Sequence, residues 1–231
     1  TFNELANLAY LGRVNYNYKS KYMMTLNYRR DGYSAFAPGN KFATFYGGAF
    51  AYSISEENFF KKALPAVNYL KLRMAYGQNG NQGIDPYETV ANIASGTTVF
   101  GSTSSLFIYQ SSLSNKKLSW EKTTTLNGGL NFGILNNRIT GDLNIYTSKT
   151  TDQLLTRSLP FLTGFNSVRT NIGRVDNRGV EVSLTGVILS PASQKGLRWE
   201  ATVNYWMNRN KIVSLTGVDA NGDGKEDDDI G

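Results

Sequence analysis

The chain contains no cysteine and no histidine. The first absence excludes disulfides and thiolate metal sites. The second removes histidine triads, histidine general bases and the usual zinc centres. Nowhere do apolar residues run to the ~20 that a membrane helix needs. No basic segment followed by an apolar one opens the chain, so no signal peptide is read there and residue 1 is expected to be a cut point or processed end. The net charge is +6 with a pI of 9.4, yet Lys and Arg are spread along the chain without a dense cluster. That spread gives nucleic acid no footprint. Absent cysteine fits an oxidising envelope compartment, though many cytosolic proteins share it.

What is abundant points to strands. Among 231 residues there are 14 Tyr, 12 Phe and 23 Gly, with only 5 Pro. Aromatics, Thr and Gly suit strands and turns better than helices. In "NNRITGDLNIYTSK" (136–149), Ile139, Gly141, Leu143 and Ile145 alternate with Arg138, Thr140, Asp142, Asn144 and Ser148. This period of two marks a strand with one apolar and one polar face. Similar patterns fill 10–18, 22–30, 69–77, 119–133, 178–186 and 197–208. A weaker one, with small and aromatic residues on both faces, fills 43–54. These make about eight strands of roughly nine to thirteen residues. Sandwich strands usually run about five or six, whereas a tilted membrane strand needs about nine to eleven.

The connections alternate in length. Tight turns at 19–21 and 134–137 and moderate links at 55–68 and 190–196 alternate with long links at 31–42, 78–118, 149–177 and from 209 onward. In an up-and-down meander this places short turns at one rim and long loops at the other, as in outer-membrane barrels. The turn at 134–137 is expected to set Gly133 opposite Arg138 and Gly129 opposite Asp142, keeping polar faces together. Aromatics near strand ends (Tyr10, Tyr18, Tyr22, Trp120, Phe132, Tyr146, Trp199, Tyr205) suit interfacial girdles. Core packing explains any one of them equally well.

Candidate chemistry is sparse. Glu121, Asp142, Glu181 and Glu200 project from polar strand faces, but the defined separation and raised pKa of a glycosidase pair are not legible. No enzyme is expected. "GQNGNQG" (77–83) lacks the Gly-Lys-Ser/Thr of a phosphate-binding loop and reads as a glycine-rich loop start. The sharpest local motif is "DANGDGKEDDD" (219–229). Asp219, Asn221 and Asp223, followed by Gly224, occupy the alternate-oxygen positions of an EF-hand-type calcium loop. The carbonyl of Lys225 and the carboxylate of Asp227 complete the expected Ca²⁺ ligands. Ile230 stands where a bidentate Glu is usual, and the alternative is a solvated acidic loop.

Four stretches carry a family resemblance. "NLAYLGRVNYNYKSKYMMTLNYRRDGYSAFAPGNKFATFYGGAFAYSISEENFF", "LKLRMAYGQNGNQGIDPY", "LSWEKTTTLNGGLNFGILNNRITGDLNIYTSKTTDQLL" and "TNIGRVDNRGVEVSLTG" resemble, in this order, the SusC/RagA family of TonB-dependent outer-membrane transporters. The resemblance implies an all-β, antiparallel up-and-down transmembrane barrel segment, about eight strands of a barrel of about 22. Residues 1–231 would be a partial receptor barrel domain, with plug domain and C-terminal strands outside it. It implies energised import of a nutrient, oligosaccharide or peptide, across the bacterial outer membrane. A SusD-like surface lipoprotein and the TonB–ExbB–ExbD motor would be partners. Ile139, Leu143 and Ile145 would face lipid, and Asp142 and Asn144 the lumen. A passive porin or small closed barrel, and a soluble β-sandwich binding module, are the alternatives.

Overall fold

A computed structural model describes residues 4–189 and 196–216. Eight long strands form one antiparallel sheet: β1 (Asn7–Tyr18), β2 (Tyr22–Tyr33), β3 (Phe42–Ser53), β4 (Val67–Asn81), β7 (Glu121–Ile134), β8 (Ile139–Thr151), β11 (Arg174–Leu189) and β12 (Trp199–Ser214). Each pairs with the next in this order. The long links are not structureless. That at 82–120 carries a hairpin of β5 (Ile93–Phe100) and β6 (Thr103–Gln110), and that at 152–173 one of β9 (Leu154–Ser158) and β10 (Ser167–Asn171). A short helix α1 (Asn58–Ala63) lies in the 54–66 connection. Several strands outrun their expected ends; β4 continues to Asn81 and absorbs most of the expected glycine-rich loop start.

Turn chemistry anchors the short rim. Lys19 and Ser20 take φ of 52° and 56°, and the Lys21 N–H donates to the Tyr18 carbonyl at 3.0 Å. This mirror-image turn matches the right-handed twist of its strands. In the next short turn Leu135, Asn136 and Asn137 all have positive φ. Asn tolerates this conformation readily and Leu does not. The Leu135 N–H is held by the Ala66 carbonyl at 2.9 Å, and Asn68 Oδ1 takes the Asn136 N–H at 2.6 Å.

That turn corrects the expected register. Ile134 pairs with Ile139, Gly133 with Thr140 and Gly129 with Asn144, while Asp142 faces Asn131. The loop occupies 135–138 rather than 134–137, which moves the pairing by two residues. A two-residue move preserves the side-chain faces, so the division into polar and apolar sides stands. The short turns at 19–21 and 135–138 share one rim, and the links at 34–41, 82–120 and 152–173 share the other. Residues 190–195 lie outside the described ones, but Leu189 and Trp199 pair at the short-turn end.

Rows across the sheet show what each face is for. Tyr18, Tyr22, Tyr52, Leu72, Leu130, Leu143, Val182 and Tyr205 lie directly side by side through all eight strands. No described residue covers this side: Met74, Ile145 and Val203 are 61%, 56% and 66% exposed. In a sandwich this face would be the core. Tyr18 ends the apolar stretch of β1, whereas on β12 the stretch runs six residues beyond Tyr205 to Trp199. Six residues rise about 20 Å over seven strand spacings of about 4.8 Å, so the apolar band crosses the strands at about 30° from perpendicular. Strands in membrane barrels tilt by a comparable ~35–45°. The apparently unpatterned β3 fits as well. Tyr46, Phe50 and Tyr52 lie on the apolar side, and Gly47, Ala49 and Ala51 on the other.

The buried core is on the polar side, at the long-loop rim. Tyr33, Phe36, Phe45, Ile84, Leu118, Trp120 and Leu154 form it. Trp120 is therefore no girdle residue: its ring packs against Phe36 and Phe45, and its Nε1 donates to the Lys41 carbonyl at 3.3 Å. Tyr146 also departs from the expected girdle. It shares the polar side with Asn144 and Ser148, and its ring lies over Gly179.

Candidate functional site

The polar side of the sheet is a wall of hydrogen-bonding groups. Alternation on β4, β7, β8 and β11 brings Arg73, Gly129, Asn144 and Glu181 onto one row. The neighbouring row carries Lys71, Asn131, Asp142 and Ser183. Arg73 Nη2 donates to Asp142 Oδ2 at 2.7 Å and to Asn144 Oδ1 at 3.0 Å. Asn131 and Asn144 also donate to Asp142. Room for this cluster comes from Gly129, whose missing Cβ would stand 2.8 Å from Asn144 Oδ1 and 2.9 Å from Arg73 Nη2. Arg73 and Asp142 remain partly exposed. Such an ion pair contributes about 1 kcal/mol or less, so its weight is in placing polar groups rather than in stability.

Further along the wall the same logic repeats with smaller groups. Thr123 and Thr150 hydroxyls meet at 2.9 Å, and Thr125 and Ser148 at 3.1 Å. Arg13 donates to Asn27 at 2.7 Å, and Thr25 to Asn15 at 2.9 Å. Above the wall the long links fold inward as a roof. The Tyr33 hydroxyl donates to the Ile84 carbonyl, Asn40 to the Leu118 carbonyl and Thr89 to the Ala35 carbonyl. Asn171 and Ser119 are tied by two 2.8 Å bonds. A cleft of about 460 Å³ opens in the roof, lined by Phe36, Pro38, Lys41, Tyr87 and Lys116 among others. Another of about 400 Å³ lies between Arg29, Asp31, Asn81, Gln82 and Trp120. The first has a mostly apolar lining and the second a mixed one.

Of the carboxylates singled out by sequence, Asp142 and Glu181 lie on neighbouring rows of adjacent strands, while Glu121 and Glu200 stand elsewhere on the polar side. Asp142 is engaged by Arg73 and two asparagines. Glu121 receives the Leu154 N–H at 3.3 Å, and Glu200 pairs with Arg198 at 2.8 Å. Glu181 stands exposed on the Arg73 row. No cluster of three metal-ligating side chains occurs among the described residues. The expected calcium ligands Asp219, Asn221, Asp223, Lys225 and Asp227 lie outside the described residues. The Gly129 space and the aromatic roof were not legible in the sequence. Phe36, Ile84 and Leu118 stand in long links beside apolar residues such as Phe100, Leu106 and Ile108 that stay exposed, so the sequence does not single them out.

At the short rim, Lys21 Nζ donates to Glu57 at 2.8 Å and the Tyr22 hydroxyl does so at 3.1 Å. The Lys21 bond holds the Glu57 carboxyl below the ordinary carboxylate range. This ties the 19–21 turn to the start of α1.

A family model described as TonB dependent receptor-like, beta-barrel, matches residues 3–230. The chain is 38% identical over 211 residues to TonB-dependent receptor P26 of Formosa agariphila, covering 91% of this chain and 21% of that protein. It is 38% identical over 221 residues to TonB-dependent receptor SusC of Bacteroides thetaiotaomicron, covering 92% and 21%. The solved RagAB peptide importer in its open-open state aligns with a TM-score of 0.80 at 30% identity, over 91% of this chain and 22% of that one. The chain thus spans about a fifth of the length of these relatives.

Proposed function

Because the chain belongs to the TonB-dependent receptor β-barrel family and is a segment of an outer-membrane barrel, we propose that it walls the path of an energised nutrient importer. The observation that carries this reading is the placement of the two faces. The uncovered apolar band meets lipid, while the hydrogen-bonding wall and its folded roof face the solute path. Glycans and peptides both present dense donors and acceptors, which the asparagine, threonine and Arg73–Asp142 groups can exchange for water. The imported nutrient is an oligosaccharide or a peptide. RagAB is a peptide importer by name, which supports the peptide arm; the glycan arm rests on the same hydrogen-bonding wall, which suits either solute. Import draws on the TonB–ExbB–ExbD motor, and a SusD-like lipoprotein captures solute at the long-loop rim. No step of bond chemistry is assigned to the wall. The acidic 219–229 loop, on this proposal, is held by Ca²⁺ at the same rim.

Uptake of labelled glycans and peptides by cells carrying the full-length transporter tests the reading. Loss of uptake on deleting the transporter, and equally on deleting TonB, is the expected result. Uptake that survives TonB deletion would identify a passive pore instead.

A further inference from the structure

Immediately above the apolar band, the lipid-facing side of β8, β11 and β12 changes from apolar to basic within one row. Ile145, Val180 and Met207 lie directly abreast. The next row toward the long loops carries Thr147, Arg178 and Arg209, and the one after it Lys149, Asp176 and Lys211. Arg178 and Arg209 are thus direct cross-strand partners, both exposed. Like charges so placed repel one another. Among the described residues neither makes an ion pair, and the carboxylate nearby, Asp176, is held by Arg174 through two bonds of 2.7 and 2.8 Å. Lys149 and Lys211 flank that carboxylate from both sides, and among the described residues neither has an ion pair of its own. The patch therefore holds five cations to one anion, in the zone where barrel meets headgroups.

We propose that this patch binds the phosphate headgroup of a lipid in the outer leaflet, with Arg178 and Arg209 as its two forks. Guanidinium forks match phosphate oxygens in pairs, and an anion between the two removes their repulsion. The occupant is a lipid rather than free phosphate because the apolar rows below continue without a break. The Ile145–Val180–Met207 row, then Leu143, Val182 and Tyr205, provides a track for acyl chains directly beneath the head. Lys149 and Lys211 add positive charge at the height of the head's outer edge. The proposal rests on the lipid-facing reading of this sheet. Extraction of the transporter without detergent would defeat that reading separately.

The test uses the full-length transporter, purified in non-ionic detergent, and follows its thermal transition with added lipid A, dephosphorylated lipid A or inorganic phosphate. Lipid A should raise Tm and saturate. The Arg178→Gln/Arg209→Gln variant should need on the order of ten-fold more lipid A or beyond, the scale expected from losing charge-assisted hydrogen bonds. Without lipid its Tm should be unchanged or higher, since a repulsive pair is gone. If that variant does not fold, Lys149→Gln/Lys211→Gln should show a smaller shift in the same direction. Equal response to dephosphorylated lipid A or to inorganic phosphate, or an unaltered lipid A response in the variants that fold, would overturn the proposal.

Discussion

At the scale of single residues, the side of the sheet decides what a substitution costs. Val203 lies on the uncovered apolar face. Val203→Arg should destabilise the full-length transporter by about 2–4 kcal/mol if the site is near the bilayer midplane. Thr202, its chain neighbour on the polar wall, shares a 2.9 Å hydrogen bond with the Thr185 hydroxyl. Thr202→Arg should cost much less in the same lipid-refolding titration, and equal costs would mean that both faces meet similar surroundings. Asn144 is not a neutral position for this comparison, because Arg there would displace Arg73 from Asp142. Glycine positions divide in the same way. Gly129→Ala should lose about 1 kcal/mol by overpacking the cluster. At Gly77, also on the polar wall, nothing stands within 4 Å of an added Cβ. Gly77→Ala should be neutral or stabilising, since Gly costs about 0.5–1 kcal/mol in a strand relative to Ala. Denaturant midpoints of the two variants would separate these signs.

Among elements, the short connections act as ties and the long ones as a roof. The 54–66 connection is fastened by Glu57, whose folded-state carboxyl is depressed by Lys21. A depressed acid contributes stability at pH values above its ordinary unfolded range, and that contribution is lost as pH falls through the depressed folded value. The Tm difference between the wild-type transporter and Glu57→Gln should therefore be present at neutral pH and shrink toward zero in acid. A difference independent of pH would assign the tie to shape rather than charge. The acidic 219–229 loop carries the calcium prediction. With Ile230 in place of the bidentate Glu, binding should fall in the weak range, on the order of 10⁻⁴–10⁻³ M. Calorimetry of the full-length transporter with Ca²⁺, repeated on Asp219→Ala/Asp223→Ala, measures it directly. No heat assignable to those aspartates at millimolar calcium would leave a solvated loop.

For the sheet as a whole, order and tilt matter more than any one contact. Its eight strands form an open array in which β1 and β12 each have one neighbour among the described residues. Lipid does not tolerate unpaired backbone groups, and exposed edges template association. Residues 1–231 expressed alone should aggregate or misfold in detergent. A monodisperse, protease-resistant species on gel filtration would instead indicate a small barrel that closes on itself. The diagonal course of the apolar band adds a geometric demand: membrane height is shared by residues on different rows, such as Tyr18 and Trp199. Cross-linking or depth measurements that follow hydrogen-bonded rows instead of this diagonal would contradict the tilt.

Alternation in segments such as 136–149 was sufficient to assign the eight long strands, their two faces and the succession of short and long connections, but not the hairpins β5–β6 and β9–β10 inside the long links. These depend on the two-residue repeat of a strand, a local property written into the order of side chains. Register at 135–138 was not determined locally, because moving a turn by one residue at each end leaves both faces unchanged, whereas the Ala66 carbonyl and the Asn68 side chain, distant in sequence, hold Leu135 and Asn136 in the observed turn. The destinations of Trp120 and Tyr146 also depended on tertiary structure: one ring is taken up by Phe36 and Phe45 from distant links, the other by the space over Gly179. Nor could sequence place Arg178 beside Arg209, or Arg73 beside Asp142. Those pairs are 31 and 69 residues apart, and only the stagger of neighbouring strands decides which charges meet.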